Sequence, residues 1–250
     1  MESYVNNLVF GIYPYIALAV LAIGSVIRFD REPYSWRSGS SQLLRRKQLM
    51  WGSVLFHVGV LFIFLGHLVG LLTPIALFDA LGISHGAKQL LAIVAGGIAG
   101  VMAIVGATLL IHRRFFDPRV RANSSFSDNM VILLLWVQLA LGLSTIPLSA
   151  QHLDGGEMVK FMNWSRGVFT LQTDAYLIVA DVHWLFKAHI GLGLLIFILF
   201  PFTRLVHMLS VPIRYLWRPG YQIVRSRRGR AKAVAGRPTL TTGTSPRPAE

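Results

Sequence analysis

The stretch LMWGSVLFHVGVLFIFLGHLVGLL, residues 49–72, contains no Asp, Glu, Lys or Arg, yet it holds two histidines, His57 and His67. As a helix it reaches about 36 Å, more than the roughly 30 Å hydrocarbon core of a bilayer. Lipid offers no water to pair backbone N–H and C=O groups, so a run of this length satisfies them internally as a helix. Four further charge-free runs cover residues 4–27, 90–111, 130–150 and 188–203, the last extending as a helix past its charged neighbours Lys187 and Arg204. Over the 250 residues, 54% are hydrophobic and 14% charged, too apolar for a soluble domain of this length. These runs predict an all-α integral membrane protein, a five-transmembrane-helix bundle. The first run has no basic residues ahead of it and no small-residue cleavage site, so it reads as a retained helix and not a signal peptide.

A net charge of +13 would suggest a nucleic-acid partner in a soluble protein. Its distribution says otherwise. Twenty of the 24 Lys and Arg residues follow the first, third and fifth runs, and the remaining segments hold only Lys88, Lys160, Arg166 and Lys187. The positive-inside rule places the N-terminus outside and the C-terminus in the cytoplasm, a multi-pass protein of the cell membrane surrounded by lipid, with no nucleic acid. The outward segment 151–181 carries four acidic residues and is long enough for a small cap. Residues 1–225 are read as the membrane domain, and residues 226–250 as a basic tail too poor in apolar residues to bury a core. Gly96 and Gly100 on the third helix have a small-xxx-small spacing suited to close helix packing.

The chain has no cysteine, which removes thiolate haem ligation, covalent haem attachment and cysteine-ligated iron–sulfur clusters, and leaves histidine as the metal ligand. Four of the eight histidines lie in or at the ends of apolar helices: His57 and His67 on helix two, His189 and His207 on helix five. An ionisable side chain at membrane depth is costly and signals function, although a neutral histidine also serves as an interhelical hydrogen-bond donor. His57 and His67 are about 15 Å apart along a helix, and His189 and His207 about 27 Å, so neither pair shares one iron. Eighteen residues return a regular helix to the same face, whereas ten diverge by roughly 80°. Helices two and five run antiparallel, so depth matching pairs His57 with His207 toward the cytoplasm and His67 with His189 toward the outside. Two stacked cross-helix pairs form the ligand set of two bis-histidine b haems between helices 2 and 5. His207 lies only three residues beyond Arg204, shallower than His57. A kink at Pro201 and an Arg204 that snorkels, or that pairs with a haem propionate, would reconcile the depths, and snorkelling needs no extra partner. His85, His112, His152 and His183 fall in loops or at helix ends, and Met102 and Met208 read as packing.

Beyond the histidines, the chain carries Ile12-Tyr-Pro-Tyr-Ile-Ala17, a Ser-Ser-Gln within 37–42, Leu55-Phe-His57, Gly66-His67 and Leu72-Thr-Pro74. Further on come Pro118-Arg-Val-Arg-Ala122, Thr145-Ile-Pro147, Ser149-Ala-Gln-His-Leu-Asp-Gly155, Arg204-Leu-Val-His207 and Ser210-Val-Pro212. Together these motifs resemble the gamma subunit of respiratory nitrate reductase, a five-helix cytochrome b, over residues 9–225. The resemblance implies that His67 and His189 hold the outer haem iron and His57 and His207 the inner. It also implies quinol oxidation near the outer haem, with protons leaving outside and electrons passing to an iron–sulfur beta subunit and a molybdenum alpha subunit that reduces nitrate. Lys88 aligns with a lysine at the family's quinol pocket, and Gly66, beside His67, is assigned to that pocket with it. The long basic ending departs from the family pattern. A related cytochrome b of a sulfite- or heterodisulfide-type complex shares the four-histidine scaffold, and a proton-relaying transporter would also hold intramembrane histidines.

Overall fold

The structure, a computed structural model, describes residues 2–32 and 44–210. The Ser-Ser-Gln motif, the 225 boundary and the basic tail lie outside the described residues, which are helical with no strand among them. Five helices are long and apolar enough to cross a membrane: Ser3–Arg31, Arg46–Leu72, His85–Phe116, Phe126–Ser149 and Trp184–Phe202. Each predicted run lies largely within one of them. Their outward faces carry large exposed apolar side chains, among them Ile16, Ile23, Phe62, Leu65, Ile98 and Val101, as a lipid-facing surface requires.

In lipid the hydrophobic effect does not drive helices together, so close backbone approach has to. Helices two and three pack most extensively, and a Cβ on Gly106 would lie 2.7 Å from the Gly52 carbonyl and against the Phe56 amide. At the next contact up, a Cβ on Gly59 would meet the Ala99 carbonyl at 2.5 Å and the Ala103 amide at 2.7 Å. Gly96 has nothing within 4 Å of its Cβ position, and Gly100 meets only the Leu143 side chain. The backbones of helices two and three meet instead on the adjacent face of helix three, at Ala99, Ala103 and Gly106, against Gly52 and Gly59 of helix two, while Gly100 faces helix four.

The end bearing the basic loops is tied by charges. Ser125 and Asp128 form a capping box at the start of helix four, and Asp128 also receives Arg204 at 2.9 Å. This ion pair replaces the snorkelling expected of Arg204. Asp117 caps the short helix Pro118–Ala122 through the Arg119 and Val120 amides and holds Arg45 at 2.7 Å. Burial raises the Asp117 carboxyl pKa, but those amides and the guanidinium outweigh it and keep it below the ordinary 3.8.

At the opposite end, residues 151–181 do form a cap, with helix Gly156–Phe169 and a 3₁₀ turn at Ala175–Val179. Phe10, Trp164, Val168, Val179 and Val182 share one apolar cluster there. Near its start helix one contains a π-helical turn at Asn7–Ile12, and the Trp164 indole donates to the Phe10 carbonyl within it at 3.0 Å. Lys160 bridges Asp181 at 2.8 Å and Glu157 at 3.4 Å; its bond to Asp181 holds its pKa above the ordinary value despite burial.

Helix five is not regular to its end. The α-helix stops at Leu199, a 3₁₀ turn covers Phe200–Phe202, Thr203 is extended, and a second 3₁₀ segment spans Arg204–Ser210. Pro201 supplies the break, lacking the N–H that a continuing helix would use. Arg28 of helix one donates to the Pro201 and Thr203 carbonyls at 2.8 and 2.7 Å, satisfying acceptors near the break. The eighteen-residue regular-helix geometry expected between His189 and His207 thus does not hold.

Candidate functional site

Helices two and five make no extensive contact with each other; helix five packs on helices one and four, and helix two on helix three. Across the space between them the imidazoles pair. His57 and His207 have ring centres 6.2 Å apart, and His67 and His189 are likewise 6.2 Å apart. Helices two and five thus bring together the residues that depth matching paired, His207 arriving on the segment after the break. Two imidazoles bound to opposite faces of one ion, each nitrogen about 2 Å from it, place their ring centres roughly 6 Å apart.

Three of the rings are oriented by their own helix. Nδ1 of His57 donates to the Ser53 carbonyl at 2.7 Å, that of His67 to the Ile63 carbonyl at 2.8 Å, and that of His207 to the Arg204 carbonyl. A carbonyl can only accept, so the proton sits on Nδ1 and Nε2 keeps its lone pair for a metal. His189 differs, because its Nδ1 is buried without a partner. Gln138 of helix four donates instead to the His189 carbonyl at 3.0 Å and stands 3.5 Å from its Nε2. A Cβ on Gly142, one turn further along, would come within 2.9 Å of the His189 ring, so glycine leaves that ring its room. The sequence reading missed Gln138 and Gly142, although a glutamine inside an otherwise apolar helix was a visible signal.

Gly66 on helix two and Gly191 on helix five have nothing within 4 Å of their Cβ positions. Among the described residues no group of three or more His, Asp or Glu side chains could hold a bare metal ion. Each pair offers two imidazoles across the space between helices two and five, a donor set that would suit an iron whose other four ligands come from a planar macrocycle.

Lys88 lies in the first turn of helix three, not in the preceding loop, and is only 8% exposed. Its ammonium group donates to the Gly70 carbonyl at 3.1 Å and to Met162 Sδ at 2.8 Å, and sits 3.7 Å from the centre of the Phe78 ring. Gly70 is one turn beyond His67 on helix two. A small cleft beside Lys88 is lined by Ile75, Phe78, His85, Met158 and Met162.

Five apolar helices, with imidazoles paired across helices two and five and a buried lysine at the cap end, define a multi-pass membrane protein. The family model described as "Nitrate reductase gamma subunit" matches residues 6–227. Respiratory nitrate reductase 1 gamma chain of Escherichia coli (strain K12) is 47% identical over 225 residues, covering 90% of this chain and 99% of that one. The respiratory nitrate reductase 2 gamma chain of the same organism is 46% identical, covering 91% and 100%, and the nitrate reductase gamma chain of Bacillus subtilis (strain 168) 38%, covering 89% and 99%. The chain belongs to the nitrate reductase gamma subunit family, part of an oxidoreductase complex with other subunits.

Proposed function

We propose that this chain is the quinol-oxidising di-haem cytochrome b of a respiratory nitrate reductase. The carrying observation is the pair of cross-helix imidazole sets, each with ring centres 6.2 Å apart. His57 and His207 hold the inner haem b iron; His67 and His189 hold the outer. Haem supplies reversible one-electron transfer when bound. The Nδ1 bonds to Ser53, Ile63 and Arg204 fix ring tautomer and orientation, as partners of metal-bound imidazoles do. Lys88 exchanges its bonds to Gly70 and Met162 for a charge-assisted bond to a quinol oxygen, and Gly66 leaves space beside His67 for the ring.

In this reading the cap end faces outward and the basic end faces the cytoplasm, where an iron–sulfur beta subunit and a molybdenum alpha subunit receive the electrons. Protons released outside while electrons move inward contribute to proton-motive force. No observation favours the sulfite- or heterodisulfide-type alternative over the nitrate reductase family.

Redox titration of alanine variants tests the pairing. His57→Ala and His207→Ala should each perturb one spectral component, and His67→Ala and His189→Ala the other. Grouping of His57 with His189 would refute the assignment, and absence of b-haem absorption from the wild-type protein would refute the cytochrome itself.

A further inference from the structure

A quinol that gives up two electrons must also give up two protons, and the cleft over Lys88 is poor in groups able to take them. Ile75, Phe78, Met158, Val159 and Met162 have no basic atom, and Lys88 is a donor only while charged. His85 also lines this cleft, three residues before Lys88 and on the same side of helix three. Its Nε2 lies 3.0 Å from Asp79 Oδ1, on the short helix Ile75–Ala80. With Nε2–H donating to that carboxylate, Nδ1 keeps a lone pair and can accept a proton.

The two side chains are 42% and 56% exposed, against the nearly buried Lys88, so the cleft runs from an enclosed ammonium to a histidine and carboxylate in contact with water. The cap holds this arrangement in place. At Gly155, where φ is +85°, a Cβ would meet the backbone and Cβ of His85 at 2.7–2.8 Å, so the cap loop is pressed directly onto this residue. Gln89 anchors the same loop by donating to the Ser149 carbonyl at 2.7 Å and to that of His152. The other charged or titratable groups on the surrounding elements are Lys88, His152, Asp154 and Glu157, and Glu157 is engaged by Lys160.

We propose that His85, oriented by Asp79, is the proton acceptor for quinol oxidised beside Lys88. The inference rests on the quinol-oxidising reading above. In each of two one-electron steps a quinol O–H bond breaks, its proton passes to His85 Nδ1, and the electron leaves toward the haem held by His67 and His189. The imidazolium releases the proton to external water before the second step, so one quinol yields one quinone, two protons outside and two electrons inward.

The test uses the full chain purified with its partner subunits, comparing wild type, His85→Gln and Asp79→Asn. Measured are the rate of haem reduction by a soluble quinol across pH, the dithionite-reduced spectrum, and the affinity of a redox-inactive quinone analogue. His85→Gln is expected to keep the spectrum and the analogue affinity, to reduce its haem at least roughly tenfold more slowly at pH 7, and to change the pH profile of that rate. Asp79→Asn, which keeps a hydrogen-bonding partner without the charge, is expected to slow reduction less. A His85→Gln protein with the wild-type rate and pH profile overturns the proposal, as does one whose analogue binding falls in step with its rate, which would make His85 a binding or packing residue. Wild-type protein whose haem is reduced by dithionite but not by quinol overturns the quinol reading itself, and this inference with it.

Discussion

Substituting Gly106→Ala adds a single methyl group at the tightest helix–helix contact described above. That methyl carbon would lie 2.7 Å from the Gly52 carbonyl oxygen and 2.8 Å from Phe56 Cα, where ordinary contacts begin at 3.4 Å. The shortfall at the carbonyl is about 0.7 Å, and both obstacles are backbone, so no rotamer change relieves it. Helices two and three must part, and overpacking of this kind costs about 1–3 kcal/mol. Phe56 precedes His57, so the displacement also reaches the inner imidazole pair while the His67–His189 pair, about three turns away along helix two, stays in place. Unfolding in a denaturing detergent series, followed by haem absorption, measures the stability loss, and a redox titration measures which component moves. Gly96→Ala is the control: its methyl enters open space, and removing a mid-helix glycine should be neutral or stabilise by about 0.5–1 kcal/mol. Equal stabilities for the two variants, or a Gly106→Ala protein whose outer haem shifts in place of the inner, would refute the packing account.

Lys88→Ala removes a charge-assisted bond of about 1.5–3 kcal/mol, so a quinone analogue should bind about 10- to 100-fold more weakly while both haem components remain, as titration of the analogue against the haem spectrum would show. Asp117 is held below its ordinary pKa of 3.8, so its contribution is present at neutral pH and is lost as the pH falls through the lowered folded-state value; the melting temperature of Asp117→Asn should lie below wild type at pH 7 and converge with it in acid well below pH 3.8. Reporter fusions after Arg121 should read as cytoplasmic and fusions near Ser84 and Gly156 as external, reversed signals overturning the sidedness.

The five spans were legible because lipid imposes a simple rule of length and charge that neighbouring residues cannot override. The histidine partnerships were legible for a related reason: antiparallel crossing turns sequence distance into depth. Packing was less so. Gly96 and Gly100 had the expected spacing, but which glycines meet depends on the rotation of helix three against helix two, and the partner glycines Gly52 and Gly59 carry no signal in helix three itself. Arg204 read as a lone charge near the membrane surface because its partner, Asp128, belongs to a capping box 76 residues earlier. Gln138 was visible as a polar residue in an apolar helix, but its partner, the His189 carbonyl, lies 51 residues away on helix five.

The break at Pro201 gives helix five two mechanical parts. His189 rides on a continuous α-helical rod, whereas His207 sits beyond an extended residue, on a short clip fastened by Arg28 to helix one and by Arg204 to helix four. A load on the basic end of the molecule therefore falls first on the clip and its two arginine fastenings, and the imidazole of His207 is held by different anchors from that of His189.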